Sequence, residues 1–188
     1  PFVIHEVRAD INRVHVDLAL TEKSVGAIDL NNLKVKVNNV TAIPNSVIAV
    51  SAEGRLGKGN VHADLEMTVN AACDWRIALR AEHLNLHCLD DMLYPVVGMK
   101  VGCNIKHLTA DYAGDSAVAT GTFCMEYDSL HIHAFRENNS PFTIVGDLSG
   151  VINSVGNTLL KKANPAIPGK QPTAYQVKWK NDVWVNPA

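Results

Sequence analysis

The chain has no surplus of positive charge: 17 Lys and Arg stand against 19 Asp and Glu, a net charge of -2. A nucleic-acid binder needs cations to neutralise phosphates, so that partner is excluded on composition. A basic patch for an anionic membrane surface is disfavoured on the same ground. Long apolar runs are missing too; none approaches the roughly 18 residues of a membrane-spanning helix. GxSxG, HExxH, P-loop and GxGxxG patterns are all missing, so no enzyme and no cofactor is expected. The four cysteines, Cys73, Cys88, Cys103 and Cys124, contain no CxxC pair, which leaves a structural zinc site without its usual ligand spacing. Cys88 and Cys103 bracket one loop and could close a disulfide in an oxidising compartment; buried free thiols are the alternative. The opening Pro1-Phe2-Val3-Ile4 carries neither an initiator Met nor a signal-peptide pattern and reads as an excised fragment.

What the sequence does have is enough apolar material for a core. Hydrophobic residues make up 47% and charged residues 19% of the 188 positions, which suits an ordered protein and a single β-rich domain over 1–188. That material is arranged with a period of two, the signature of half-buried strands. Val61, Ala63, Leu65, Met67 and Val69 alternate with His62, Asp64, Glu66 and Thr68. Val14, Val16, Leu18 and Leu20 behave likewise, as do Leu33, Val35 and Val37, Trp75, Ile77 and Leu79, and Ala119, Gly121, Phe123 and Met125. A one-residue slip turns every later side chain over, so phase changes near Glu82 and His107 predict bulges or bends.

Asn31-Asn32, Asn38-Asn39, Pro44-Asn45, Gly57-Lys58-Gly59-Asn60, Gly114-Asp115 and Asp128-Ser129 carry turn chemistry. Short connections favour antiparallel neighbours, so the expected fold is mainly β: a large curled antiparallel meander of about nine or ten strands, half-barrel or taco-like. Two segments break the alternation. Leu89 to Tyr94 predicts a short helical turn stopped by Pro95, with Asp90 and Asp91 at its start. Leu148, Val151, Ile152, Val155 and Leu159 fall on one helical stripe, which predicts a helix over about 147–163. A connector over 164–172 and a final strand over about 173–180 follow.

Candidate chemistry is sparse. His131 and His133 share one face of a strand, and His83 and His87 are four apart, yet no carboxylate at matching spacing completes a metal site. Asp90-Asp91 reads as helix-start acids rather than a catalytic pair. Trp75 and Trp179 lie on apolar rows; Trp184 and Tyr175 would serve an alternative function, an extracellular β-rich module binding glycan or a protein partner around a sealed core.

From about Ala81 to Val185 the chain resembles the C-terminal part of AsmA-like proteins of Bacteroides-type and other Gram-negative envelopes. The resemblance rests on His83-Leu84-Asn85-Leu86 running through the short helix to Val101-Gly102, and on Gly121-Thr122-Phe123-Cys124-Met125-Glu126-Tyr127-Asp128-Ser129-Leu130. Asn157 to Pro165, followed by Tyr175 to Trp179, completes it. It implies a non-catalytic periplasmic segment, soluble by itself, whose parent is anchored in the inner membrane. Lipid transport or outer-membrane homeostasis is the implied role, with acyl chains as partners. An aliphatic sheet face with few polar anchors suits such chains, and Leu65, Met67, Val69, Phe123 and Met125 are the expected lipid contacts.

Overall fold

The computed structural model describes residues 2–21, 24–134 and 163–180. Eight strands form one antiparallel sheet in strict chain order. They are β1 (Val3–Thr21), β2 (Ser24–Thr41), β3 (Val47–Leu56), β4 (Gly59–Thr68), β5 (Trp75–Asn85), β6 (Met99–Gly114), β7 (Val118–Ala134) and β8 (Ala174–Lys180). Between β5 and β6 the chain leaves the sheet through a 3-10 turn, Leu86–Leu89, and a short helix, α1 (Asp90–Val97). The sheet is open: among the described residues β1 and β8 each have a strand neighbour on one side only. The expected meander is therefore present, and its last strand starts at Ala174, within a residue of the predicted position. The predicted helix over 147–163 lies almost wholly outside the described residues.

Three of the expected turns are not turns. Asn31-Asn32, Asn38-Asn39 and Asp128-Ser129 sit inside β2 and β7, so runs that read as separate strands are continuous, and the described residues hold eight strands. The cause is local. Asn32, Asn39 and Ser129 adopt positive φ values of 52, 56 and 55 degrees, a conformation in which a short polar side chain costs little, and each lets its strand continue instead of reversing the chain; the register shifts beside Asn32 against β3 and beside Ser129 against β6. At Asn32 and Asn39 the β1–β2 ladder passes from Ile11↔Leu33 to Arg13↔Asn31 and from Ile4↔Val40 to Glu6↔Asn38, skipping one pair each time without changing register. The same device recurs at His83, whose φ is 54 degrees, where Glu82↔His107 gives way to Leu84↔Ile105. Each skip lets the apolar row advance by three residues, from Ile4 to Val7, from Ile11 to Val14 and from Ala81 to Leu84. The phase change near His107 is a bulge, the β6–β7 register shifting between Ile105 and His107, whereas the one near Glu82 is a local irregularity at His83 across which the β5–β6 register does not shift.

True turns close where glycine or an aspartate carboxylate supplies the geometry. Gly57-Lys58 joins β3 to β4 with positive φ at the glycine alone, the pattern of a two-residue hairpin turn with Gly first. A β-carbon on Gly57 would lie 2.8 Å from Cys88 Cβ, so the 3-10 turn packs directly on this hairpin. Asp115 Oδ1 accepts the Ala117 and Val118 backbone N–H groups at 2.7 and 2.8 Å and holds the β6–β7 reversal. Pro95 does not stop the helix. It lies inside α1, because a proline removes only its own donor and crowds the preceding turn. The stop is Gly98, left-handed at φ 65 degrees, whose N–H bonds to the Tyr94 carbonyl.

β3, β4 and β5 are shorter than β1, β2, β6 and β7, and α1 occupies the end where they stop, packing against β1 and β2 on one side and β6 on the other. There the core gathers: Ala81, Leu84, Cys103 and Ile105 are buried, with Leu56, Val61, Leu86, Cys88, Leu108, Met125, Tyr127 and Leu130 packed around them. The connector 164–172 is pinned by one buried residue. Asn164 pairs its backbone with Tyr127 in both directions at 2.9 Å, donates through Nδ2 to the carbonyls of Met125 and Thr173, and accepts the Thr173 N–H.

Candidate functional site

Directly paired residues in an antiparallel sheet share a face, so the register defines what each surface presents. One row runs through all eight strands: Val7, Val37, Val50, Leu65, Ile77, Tyr112, Gly121 and Val177. The next row is Ala9, Val35, Ala52, Ala63, Leu79, Ala110, Phe123 and Tyr175. No charged residue interrupts either. The reverse face carries Arg8, Lys36, Ser51, Asp64, Ala78, Asp111, Thr122 and Gln176 in the matching row. One surface is oil and the other is salt.

Much of the oily surface is accessible. Val7, Ile11, Val16, Met67, Leu79 and Val177 are each 37–42% exposed, and Tyr175 is 50% exposed. Among the described residues no large side chain is completely sealed from solvent. Ala110 and Ala119, small enough to sink between their neighbours, are the buried apolar residues away from the helix end. A bare β-carbon on Gly121 would collide with the Asp111 carbonyl oxygen and, at 2.7 Å, with the Tyr112 Cα and ring, so the β6 backbone and Tyr112 lie across the glycine on the neighbouring strand.

The sequence-derived contacts fall as follows. Leu65 and Met67 lie on β4 and Phe123 and Met125 on β7, all on the apolar face and separated by β5 and β6. Met125 belongs to the packed helix end. Val69 lies past the end of β4, where its N–H bonds to the Ser46 carbonyl and its carbonyl accepts from Asn45. Contributions from β1, β2, β3 and β8 are absent from that set, because period two marks a face within a strand but not which strands stand side by side.

The salt face is laced with short-range pairs. Arg13 grips Asp29 through two hydrogen bonds of 2.9 and 2.7 Å, and His15 reaches Asp29 at 2.7 Å and Asp17 at 3.1 Å. Hydrogen bonds from Arg13 and His15 push the Asp29 carboxyl down to about 2. The same Asp29 bond, with Asp17 adding charge, raises His15 above its ordinary value. Lys36 binds Glu6 at 3.0 Å and Lys34 binds Glu53 at 3.3 Å.

The histidines remain apart from one another as ligands. His131 and His133 are exposed on β7, and His87 sits in the 3-10 turn beside Asp90, remote in conformation from His83, whose ring lies edge-on to His107 at 6.3 Å. Among the described residues no three of His, Cys, Asp and Glu are grouped so as to hold a metal. The four thiols are free, and burial pushes the Cys103 thiol up to about 11, well away from reactive thiolate character. Trp75 donates from Nε1 to the Asp115 carbonyl at 3.2 Å, a structural tie; Trp184 lies outside the described residues. Comparison with known proteins finds no matching family model, no matching curated protein and no matching solved structure.

Proposed function

We propose that this chain is a non-catalytic sheet segment of an AsmA-like envelope protein, and that its aliphatic face holds lipid acyl chains. The observation that carries the reading is the unbroken pair of apolar rows across eight strands, in which Val7, Leu79, Val177 and Tyr175 are left 37–50% exposed. A water-exposed aliphatic surface of this extent is costly unless something apolar meets it. Each methylene of a chain laid on it would contribute about 0.8 kcal/mol with no need for hydrogen bonds. Such a surface selects for length and apolarity rather than for headgroup, which suits bulk lipid handling and outer-membrane homeostasis. A periplasmic setting and an inner-membrane-anchored parent belong to the same reading and rest on the resemblance of residues 81–185.

Native mass spectrometry of the chain purified from a Gram-negative host tests it. Adducts of phospholipid or fatty-acid mass are expected, and Leu65→Asp together with Leu79→Asp should abolish them while the polar-face change Ser51→Asp leaves them intact. Protein free of adducts that also takes up no added phospholipid rejects the reading.

A further inference from the structure

The β2 bulge opens a second feature, on the salt face. Between Asn31↔Arg55 and Lys34↔Glu53 the β2–β3 ladder passes over Asn32, Leu33 and Gly54, a bulge that sets two β2 residues against one on β3. Directly over that interruption lies a cleft of about 420 Å³, lined by Asn32, Lys34, Arg55, Asn60, His62 and Arg80 among others. Its size falls in the range of about 300–1,000 Å³ typical of small-ligand sites. Bulges are enriched beside functional sites because they re-aim side chains.

The charge arrangement decides what would enter. Three cations, Lys34, Arg55 and Arg80, line the cleft against two carboxylates, Glu53 and Glu82. Glu53 holds Lys34 at 3.3 Å, Asp64 holds His62 at 2.8 Å, and Glu82 lies 3.8 Å from His107 Nδ1. Arg55 and Arg80 are exposed and form no ion pair within 4 Å among the described residues, although the charge of Arg80 is felt by Asp64. Register places Arg55 opposite Asn60 and Arg80 opposite His62, so the two arginines flank β4 from β3 and β5. Strands two apart lie about 10 Å from each other, within reach of two long guanidinium side chains converging over β4. Paired guanidinium forks match the oxygens of a phosphate, and the Asn60 amide adds a donor.

We infer that this cleft is a binding site for a phosphate group, carried by a soluble phosphate ester or by a lipid headgroup, with Arg55 and Arg80 as its principal contacts. It lies on the face opposite the aliphatic rows and stands independently of the acyl-chain reading.

Amide chemical-shift titration of the intact chain tests the site, using inorganic phosphate and glycerol 3-phosphate in one arm and phosphatidylglycerol vesicles, against phosphatidylcholine vesicles, in the other. Saturable shifts centred on Asn32, Gly54, Asn60 and Val61 with the soluble probes support a soluble ester. The same residues responding only to phosphatidylglycerol support a headgroup. Arg55→Gln with Arg80→Gln should weaken either response about tenfold or more, as expected for the loss of two charge-assisted contacts. Arg8→Gln, removing an arginine already paired with Glu6, should leave it unchanged. Both substitutions are on exposed positions, and an unchanged thermal melt establishes folding of the variants. Shifts spread evenly over the salt face, no shift with any probe, or equal loss in the Arg8 variant overturns the site.

Discussion

The helix end of the sheet and the remainder of its aliphatic face are made of the same side chains and end in different states. Leu84 and Ile105 are buried at 6% and 2% exposure, while Leu79 on β5 is 37% exposed. Hydrophobicity does not separate them. What separates them is the excursion of Leu86 to Val97, which lays the 3-10 turn over the Gly57 hairpin and packs α1 against strands on both sides. A one-sided sheet cannot bury its own oil; it needs a second layer. The described residues supply that layer at one end.

The largest effect expected from breaking this contrast is at Ile105. Ile105→Ala should cost about 3 kcal/mol in a denaturant titration, since it removes packed methyls and leaves a cavity. Leu79→Ala, the same kind of truncation on the open face, should cost less than about 1 kcal/mol, having little packing to lose. Equal losses would mean that the face is covered in solution.

Asn164→Leu comes next. It leaves the Met125 and Thr173 carbonyls and the Thr173 N–H without the partners they have, a penalty of about 2–3 kcal/mol by the same titration. The loss should concentrate in β8, read as faster amide exchange at Tyr175 and Val177 than at Ile105. Gly121→Val should destabilise by at least about 1–3 kcal/mol through overpacking against the Asp111 carbonyl and Tyr112. An unchanged melt would show that the β6 backbone gives way freely.

The smallest effect is electrostatic and belongs to the exposed β1–β2 pair. Asp29 is depressed, so its contribution is present above the ordinary carboxylate value of 3.8 and is lost as pH falls through about 2. His15 is raised, so its contribution is present below 6.5 and is lost as pH rises through its elevated value. The Arg13–His15–Asp29 cluster therefore ties β1 to β2 best between those limits. Imidazole titration by NMR should give His15 a midpoint above 6.5 that falls on Asp29→Asn; a midpoint indifferent to Asp29 removes the cluster's role.

Much of the sheet was legible before any coordinates. Val61 to Met67 and Ala119 to Met125 alternate cleanly because each strand has one wet face, and the phase slips at Glu82 and His107 mark a strand irregularity at His83 and a bulge between Ile105 and His107. Asn31-Asn32, Asn38-Asn39 and Asp128-Ser129 misled, because a left-handed asparagine or serine looks the same in sequence whether it reverses a chain or bends a strand. Pro95 misled likewise, as it was not the residue on which the helix ends. The aliphatic face was visible strand by strand, but its continuity from Val7 to Val177 depends on register, which alternation leaves open. The Arg55–Arg80 cleft was invisible, since residues 25 positions apart meet only through three strands of pairing and the Asn32 bulge.

The most direct measurement is paramagnetic broadening of methyl resonances by a fatty acid spin-labelled along its chain. Selective broadening of Val50, Leu65, Leu79 and Val177 is expected, with Ile105 and the salt-face residue Ala78 spared. No broadening, or broadening that favours the salt face, contradicts an aliphatic surface open to acyl chains.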